Sequence, residues 1–187
     1  MNISKISVRY AKAVFLLAKE KNILDAVKDD MLLILKVCND IPDFTLMLYS
    51  PVIQTTQKLN ALNDIFKGSI HDQTSGFLAL IVRNKREQFV ADIIRVFMDF
   101  YRHEMGIKAV SLTTAIELAP ALREKIIAII RNAYNSKVEL TEKVRPEIIG
   151  GFILTIDDKQ MDTSVSSQLK ELERQYINTS FEYKILG

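Results

Sequence analysis

Apolar residues recur every three or four positions from the start of the chain to Tyr101, then at every second position from Val110 to Thr114, with Gly106 between the two regimes. A spacing near 3.6 lays one face of a helix on a core, and a spacing of two does the same for a strand. No single continuous architecture accommodates both. The 187 residues therefore divide into a helical part, 1–105, and a mixed part, 106–187. Each is about the size of a small domain.

Six helices are expected in the first part. Ser4 or Ser7 caps one that runs through Lys21, and Leu24, Val27, Met31, Ile34, Leu35 and Cys38 mark a second. Pro42 and Pro51 bracket a short third. Leu59, Leu62, Ile65 and Phe66 lie on a fourth that stops near Gly68, Phe77 to Val82 lie in a fifth, and Phe89, Ile93, Val96 and Phe97 begin a sixth. Short connections between helices of this length predict a bundle.

Beyond Gly106 the predicted order is strand, helix, strand, strand, helix. Pro120 suits the first turn of a helix through Ala133, and Val138 to Thr141 returns to period two. Gly150 and Gly151, two of six glycines, precede the strand Phe152 to Ile156, where adjacent residues without a Cβ mark a bend or a close backbone approach. Asp157-Asp158-Lys159 turns the chain, and Asp162-Thr163-Ser164 caps a last helix carrying Val165, Leu169, Leu172 and Tyr176. The tail Phe181, Tyr183, Ile185 alternates weakly, as an extra strand or a frayed end would. The fold class is mainly α, a six-helix bundle followed by a small α+β domain.

Composition excludes several functions. The longest apolar run, Phe77 to Val82, is far short of the roughly 20 residues that span a bilayer. The start of the chain moves into helical pattern without a targeting segment, which suggests a bacterial cytoplasm. Charge is nearly balanced, 25 Lys and Arg against 23 Asp and Glu, so nucleic-acid binding would rest on Arg83-Asn84-Lys85-Arg86 alone. A basic cluster ending a helix is better explained by the helix dipole. Lone Cys38 reads as a small core residue, and Asp29-Asp30 and Asp157-Asp158 read as solvated carboxylates rather than metal ligands. The two histidines, His71 and His103, join no nucleophile motif, and Gly150-Gly151 lacks the context of a phosphate loop. No catalytic residue, metal, cofactor or small-molecule substrate is expected.

Two helices are more apolar than one core-facing stripe requires. Tyr10 to Ala18 cover most of the circumference of the first, and Phe77 to Val82 that of the fifth. Lying side by side with outward apolar faces, they would form a groove for an amphipathic helix.

Arg9-Tyr10-Ala11-Lys12-Ala13-Val14-Phe15, the Ser50-Pro51 break, the fifth helix running into Arg83-Asn84-Lys85-Arg86, Pro146-Glu147-Ile148-Ile149-Gly150-Gly151-Phe152 and Asp162-Thr163-Ser164-Val165 occur in an order that resembles the delta subunit family of ATP synthase, called OSCP in mitochondria. The resemblance covers nearly the whole chain. It implies a non-catalytic stator connector of the proton-translocating ATP synthase, joining the N-terminal helix of an alpha subunit on the catalytic head to the b subunits of the peripheral stalk. It would work at the cytoplasmic face of the bacterial cell membrane without inserting into it. On this resemblance Tyr10, Ala13, Val14, Leu17, Leu78, Ile81 and Val82 hold the alpha-subunit helix. Pro146, Gly150, Gly151, Phe152, Leu154, Leu169 and Leu172 belong to the stalk-binding domain. The chain departs from the family pattern at Arg145, where an acidic or amide residue is usual, and at Asp157 and Thr163, where glycine is common. The rival readings are a helical adaptor of another assembly, an RNA-binding protein, and, with least support, a small hydrolase.

Overall fold

A computed structural model describes residues 4–134, 136–157 and 159–185, with side chains through Ile177. The chain forms two compact units, Met1–Glu104 and Met105–Gly187. The first contains α1 (Lys5–Glu20), α2 (Leu24–Asp40), α3 (Pro42–Tyr49), α4 (Thr55–Phe66), α5 (Asp72–Arg83) and α6 (Val90–Glu104), with a 3₁₀ turn at Glu87–Phe89 before the last. The six expected helices are all present.

Local chemistry sets their ends. Ser4, not Ser7, caps α1 by accepting from the Ile6 amide at 3.2 Å, while Ser7 is buried inside the helix. At the far end Asn22 adopts φ 55°, so the Ile23 amide reaches the Ala18 carbonyl at 3.0 Å and Asn22 reaches Lys19 at 3.2 Å. Asparagine tolerates this left-handed conformation better than most residues. The same closure ends α5 on a lysine. Lys85 has φ 55°, Arg86 donates to Ile81 at 3.0 Å and Lys85 to Val82 at 3.0 Å. Lys85→Gly is therefore expected to raise the stability of this unit by about 0.5–1 kcal/mol, since glycine carries no Cβ penalty there. A lower urea midpoint would contradict this.

The core is built from one stripe of each long helix. Ala11, Val14, Phe15 and Ala18 of α1 pack with Val27, Met31 and Ile34 of α2 and with Ile93, Ile94 and Phe97 of α6. Phe15 meets Phe97 and Phe100 with ring centroids 6.2 and 5.7 Å apart. Two polar contacts tie helices together inside this apolar setting. Asp30 is buried rather than solvated. Its carboxylate accepts from the His71 amide at 2.9 Å and the Thr74 hydroxyl at 2.5 Å, linking α2 to the first turn of α5. That turn has amides without intrahelical partners, which is why a carboxylate belongs there. The second contact is the buried Lys58–Glu87 ion pair between α4 and the 3₁₀ turn.

The second unit contains β1 (Ile107–Thr114), α7 (Pro120–Tyr134), β2 (Lys137–Val144), a 3₁₀ turn at Pro146–Ile148, β3 (Phe152–Ile156), β4 (Lys159–Asp162) and α8 (Val165–Ile185). The sheet order is β2-β1-β3-β4, with β1 parallel to β2 and the other two pairs antiparallel. Central β1 holds the buried Val110 and Leu112, as its β-branched alternation predicts. Strand β4 was not expected. Its sequence, Lys-Gln-Met-Asp, is exposed throughout and has a single apolar residue, the half-exposed Met161, so it forms mainly by backbone pairing with β3. Asp157 takes φ 51° in the β3–β4 turn, which gives a physical reason why glycine suits that position. The backbone is helical to Ile185, so the alternation of Phe181, Tyr183 and Ile185 is not a strand. A helix satisfies each backbone group within itself, whereas a strand needs a free sheet edge to pair with.

Candidate partner-binding groove

Between α1 and α5 lies an open groove of about 560 Å³. Tyr10, Ala13, Val14 and Leu17 all line it from the α1 side. Val14 forms part of its floor and is itself buried. The α5 wall differs from expectation. Leu78, Ile81 and Val82 are 4%, 1% and 1% exposed and belong to the bundle core. They sit at i, i+3 and i+4, one face of a helix, and that face points inward. The groove wall is the opposite face, Gln73, Gly76, Phe77, Leu80 and Asn84. Leu80 is 49% exposed.

The residues that sequence reasoning missed left one signal, Gly76. A glycine inside a helix costs about 1 kcal/mol relative to alanine, so it usually marks a close approach. A Cβ built at Gly76 meets nothing within 4 Å, so no neighbour within the chain requires the glycine. With Ala13 on the other wall, Gly76 leaves room for a helix backbone to descend between α1 and α5. Across the groove, Tyr10 stacks obliquely on Phe77 with centroids 6.5 Å apart, and the Asn84 side-chain amide donates to the Tyr10 hydroxyl at 3.1 Å. The Arg9 guanidinium lies 5.9 Å over the Tyr10 ring.

In the second unit the structure separates the residues grouped by sequence. Gly151, Phe152 and Leu154 line an apolar cleft of about 430 Å³ against α7. Its floor is the cross-strand row Leu112, Leu154 and Met161. Leu169 and Leu172 do not line it; they are exposed on α8. Pro146 opens the 3₁₀ turn and is exposed, while Ile148 two residues later is buried.

The glycine pair meets the start of α8. Ile149 stands at φ 69°, ψ −44°, and the Gly150 amide donates back to Ile148 at 2.8 Å, a γ-turn that bends the chain sharply. Gly150 then accepts from the Val165 amide at 3.0 Å, and Phe152 accepts from Thr163 at 2.9 Å. A helix N-terminus thus lies against the glycines. The amides of Ser164, Val165 and Ser167 are already used. The Ser164 hydroxyl accepts from the Ser167 amide at 3.3 Å, and Asp162 accepts from the Ser164 amide and the Ser167 hydroxyl at 2.8 Å each. These bonds, those of Ser164 foremost, hold the Asp162 carboxyl below its ordinary value. The cap they form is complete above the usual carboxylate range and is lost as pH falls through that lowered value.

Among the described residues, no helix is long and apolar enough to cross a membrane, and no three His, Cys, Asp or Glu side chains gather as a metal site. A six-helix unit with an apolar groove left open, and a second unit with its own open apolar cleft, form the architecture of a subunit of a larger assembly.

The comparisons with known proteins identify the assembly. The family model of the ATP synthase delta (OSCP) subunit matches residues 6–176, and the chain belongs to that family. Members are structural, non-catalytic subunits of ATP synthase, peripheral to the membrane complex. The chain is 33% identical over 183 residues to the ATP synthase subunit delta of Cytophaga hutchinsonii, covering 98% of this chain and 100% of that one. It is 35% identical over 177 residues to that of Amoebophilus asiaticus, covering 92% and 94%. Its fold matches a chain in the cryo-EM structure of the Toxoplasma gondii mitochondrial ATP synthase hexamer with a TM-score of 0.80 and 25% identity, over 93% of this chain and 98% of that one.

Proposed function

We propose that this chain is the stator connector of a proton-translocating ATP synthase. Its helical unit, 1–105, receives the N-terminal helix of an alpha subunit at the top of the catalytic head. Its second unit, 106–187, holds the b subunits of the peripheral stalk through the apolar cleft and the exposed face of α8. The chain then works at the cytoplasmic face of the cell membrane, carried there by the complex. The observation that carries this reading is the groove between α1 and α5, apolar along its floor and open to solvent. A joint that resists rotor torque needs slow dissociation, which desolvated apolar contact supplies better than exposed ion pairs.

The test is Leu80→Asp in the full chain, with binding measured to a peptide of the alpha-subunit N-terminal segment. Leu80 is half exposed, so the fold and thermal midpoint are expected to hold. Binding is expected to weaken about 30- to 100-fold, the size of losing one apolar anchor. Unchanged affinity would remove the groove from the joint.

A further inference from the structure

We infer that the free chain pairs with a second copy of itself through the second unit, each copy laying its α8 in the apolar cleft of the other. The pairing belongs to the chain outside the assembly and stands whether or not the stalk uses the same faces. Val165, Leu169, Leu172 and Tyr176 follow one another at four-, three- and four-residue steps, which at 3.6 residues per turn confines them to an arc of about 60°. Leu169, Leu172 and Tyr176 are 51%, 51% and 74% exposed. The half-buried Ser166 and Ser167 lie on the other side of the helix, so the serines face the unit and the apolar stripe faces away from it. A helix draws most of its stability from packing an apolar face, and this one packs none of its stripe.

The same unit holds an open cleft without a helix in it. Leu118, Leu122, Ile126 and Ile129 line one side, Phe152 and Met161 the other, and no α8 residue takes part. The fold keeps the two surfaces apart. The Val165 amide is tied to Gly150 at 3.0 Å and the Thr163 amide to Phe152 at 2.9 Å, and the Gly151 backbone passes against Thr163, so the start of α8 has no freedom to swing over α7.

Charge selects the occupant. Lys125 is exposed on α7 one turn from Leu122 and Ile129, and Lys159 is exposed on β4 two residues before Met161 and on the same face. Glu117 lies ahead of α7, on neither rim. The two rims therefore carry lysines, and both lysines join no ion pair among the described residues. On α8 the charged residue nearest the stripe is Glu173, with Gln168 and Gln175 on the opposite flank and Lys170, Glu171 and Arg174 further round. An α8 seated in the cleft brings Glu173 to a lysine rim. Two α8 helices packed on each other instead leave Glu173 without a cation and both clefts open. Reciprocal exchange closes the pair with two identical contacts, as a two-fold dimer requires.

Sedimentation of the full chain at rising concentration is expected to show a reversible shift from one chain of 21.3 kDa towards two. Leu172→Asp, on the stripe, and Ile129→Asp, in the cleft, alter exposed side chains, so each is expected to keep the native thermal midpoint and to weaken pairing at least about tenfold. An equimolar mixture of the two variants retains one intact stripe and one intact cleft, and it is expected to associate where neither does alone. Glu173→Lys is expected to weaken pairing about three- to fivefold at low salt, and Lys125→Glu with Lys159→Glu to restore it. A chain that stays monomeric at every concentration overturns the inference. So does an Ile129→Asp variant that still pairs, because the contact then lies between stripes, and so does a mixture that fails to associate.

Discussion

Ile81→Asp is expected to unfold the 1–104 unit, not to weaken a surface. Ile81 is 1% exposed in the bundle core, so the substitution removes a buried aliphatic side chain and places a carboxylate where no cation faces it. Deleting such a side chain costs about 2–5 kcal/mol before the charge is counted. Burying an unpaired ionisable group adds several more, or forces its protonation. The sum rivals the 5–15 kcal/mol that holds a typical domain together. The amide spectrum of residues 4–104 should collapse to that of an unfolded chain, or the thermal transition should vanish. Leu80→Asp, one residue away, keeps the fold because its side chain already meets water. Equal stability of the two variants would show that the inward and outward faces of α5 have been exchanged.

Gly151→Ala should be the most damaging one-carbon change in the second unit. Gly151 has φ 72°, and a Cβ there would lie 2.3 Å from the Thr163 carbonyl oxygen. The obstacle is backbone, which cannot rotate away as a side-chain tip can. Relieving it means separating the β3 entry from the start of α8, breaking the Thr163-to-Phe152 and Val165-to-Gly150 bonds. Left-handed strain of about 1–2 kcal/mol and two lost backbone hydrogen bonds put the expected cost at about 3 kcal/mol or more. Faster hydrogen exchange at the Thr163 and Val165 amides would locate the damage. Gly150→Ala is the control. Its added Cβ would meet only Val165 Cγ2, at 3.2 Å, a side-chain atom with room to adjust, and less than about 1 kcal/mol is expected. If Gly151→Ala melts with the native protein, the close crossing is not a constraint on the unit.

How far the sequence was legible depended on whether a residue's role was local. Helix positions followed from the spacing of apolar residues, and Ser4, Asn22 and Ser164 terminate helices for reasons contained in a few neighbouring residues. The order of five motifs and breaks was also enough to point to the family. Strand β4 escaped because Met161 is its one apolar residue, too few for an alternation; pairing with the edge of β3 makes it a strand. Asp30 looked like one of two solvated carboxylates because its partners, His71 and Thr74, lie more than 40 residues away.

By itself the sequence determined a helical part and an α+β part, the stops between their elements, and the presence of two helices with more apolar surface than one core face needs. It also marked Gly150 and Gly151 as a place where backbones approach. Tertiary structure alone decided which apolar residues of α5 are core and which are groove, and what the glycines approach. The reason is physical: Phe77 to Val82 is apolar on every side, so its periodicity carries no direction, and only the helices packed around it determine which face remains open.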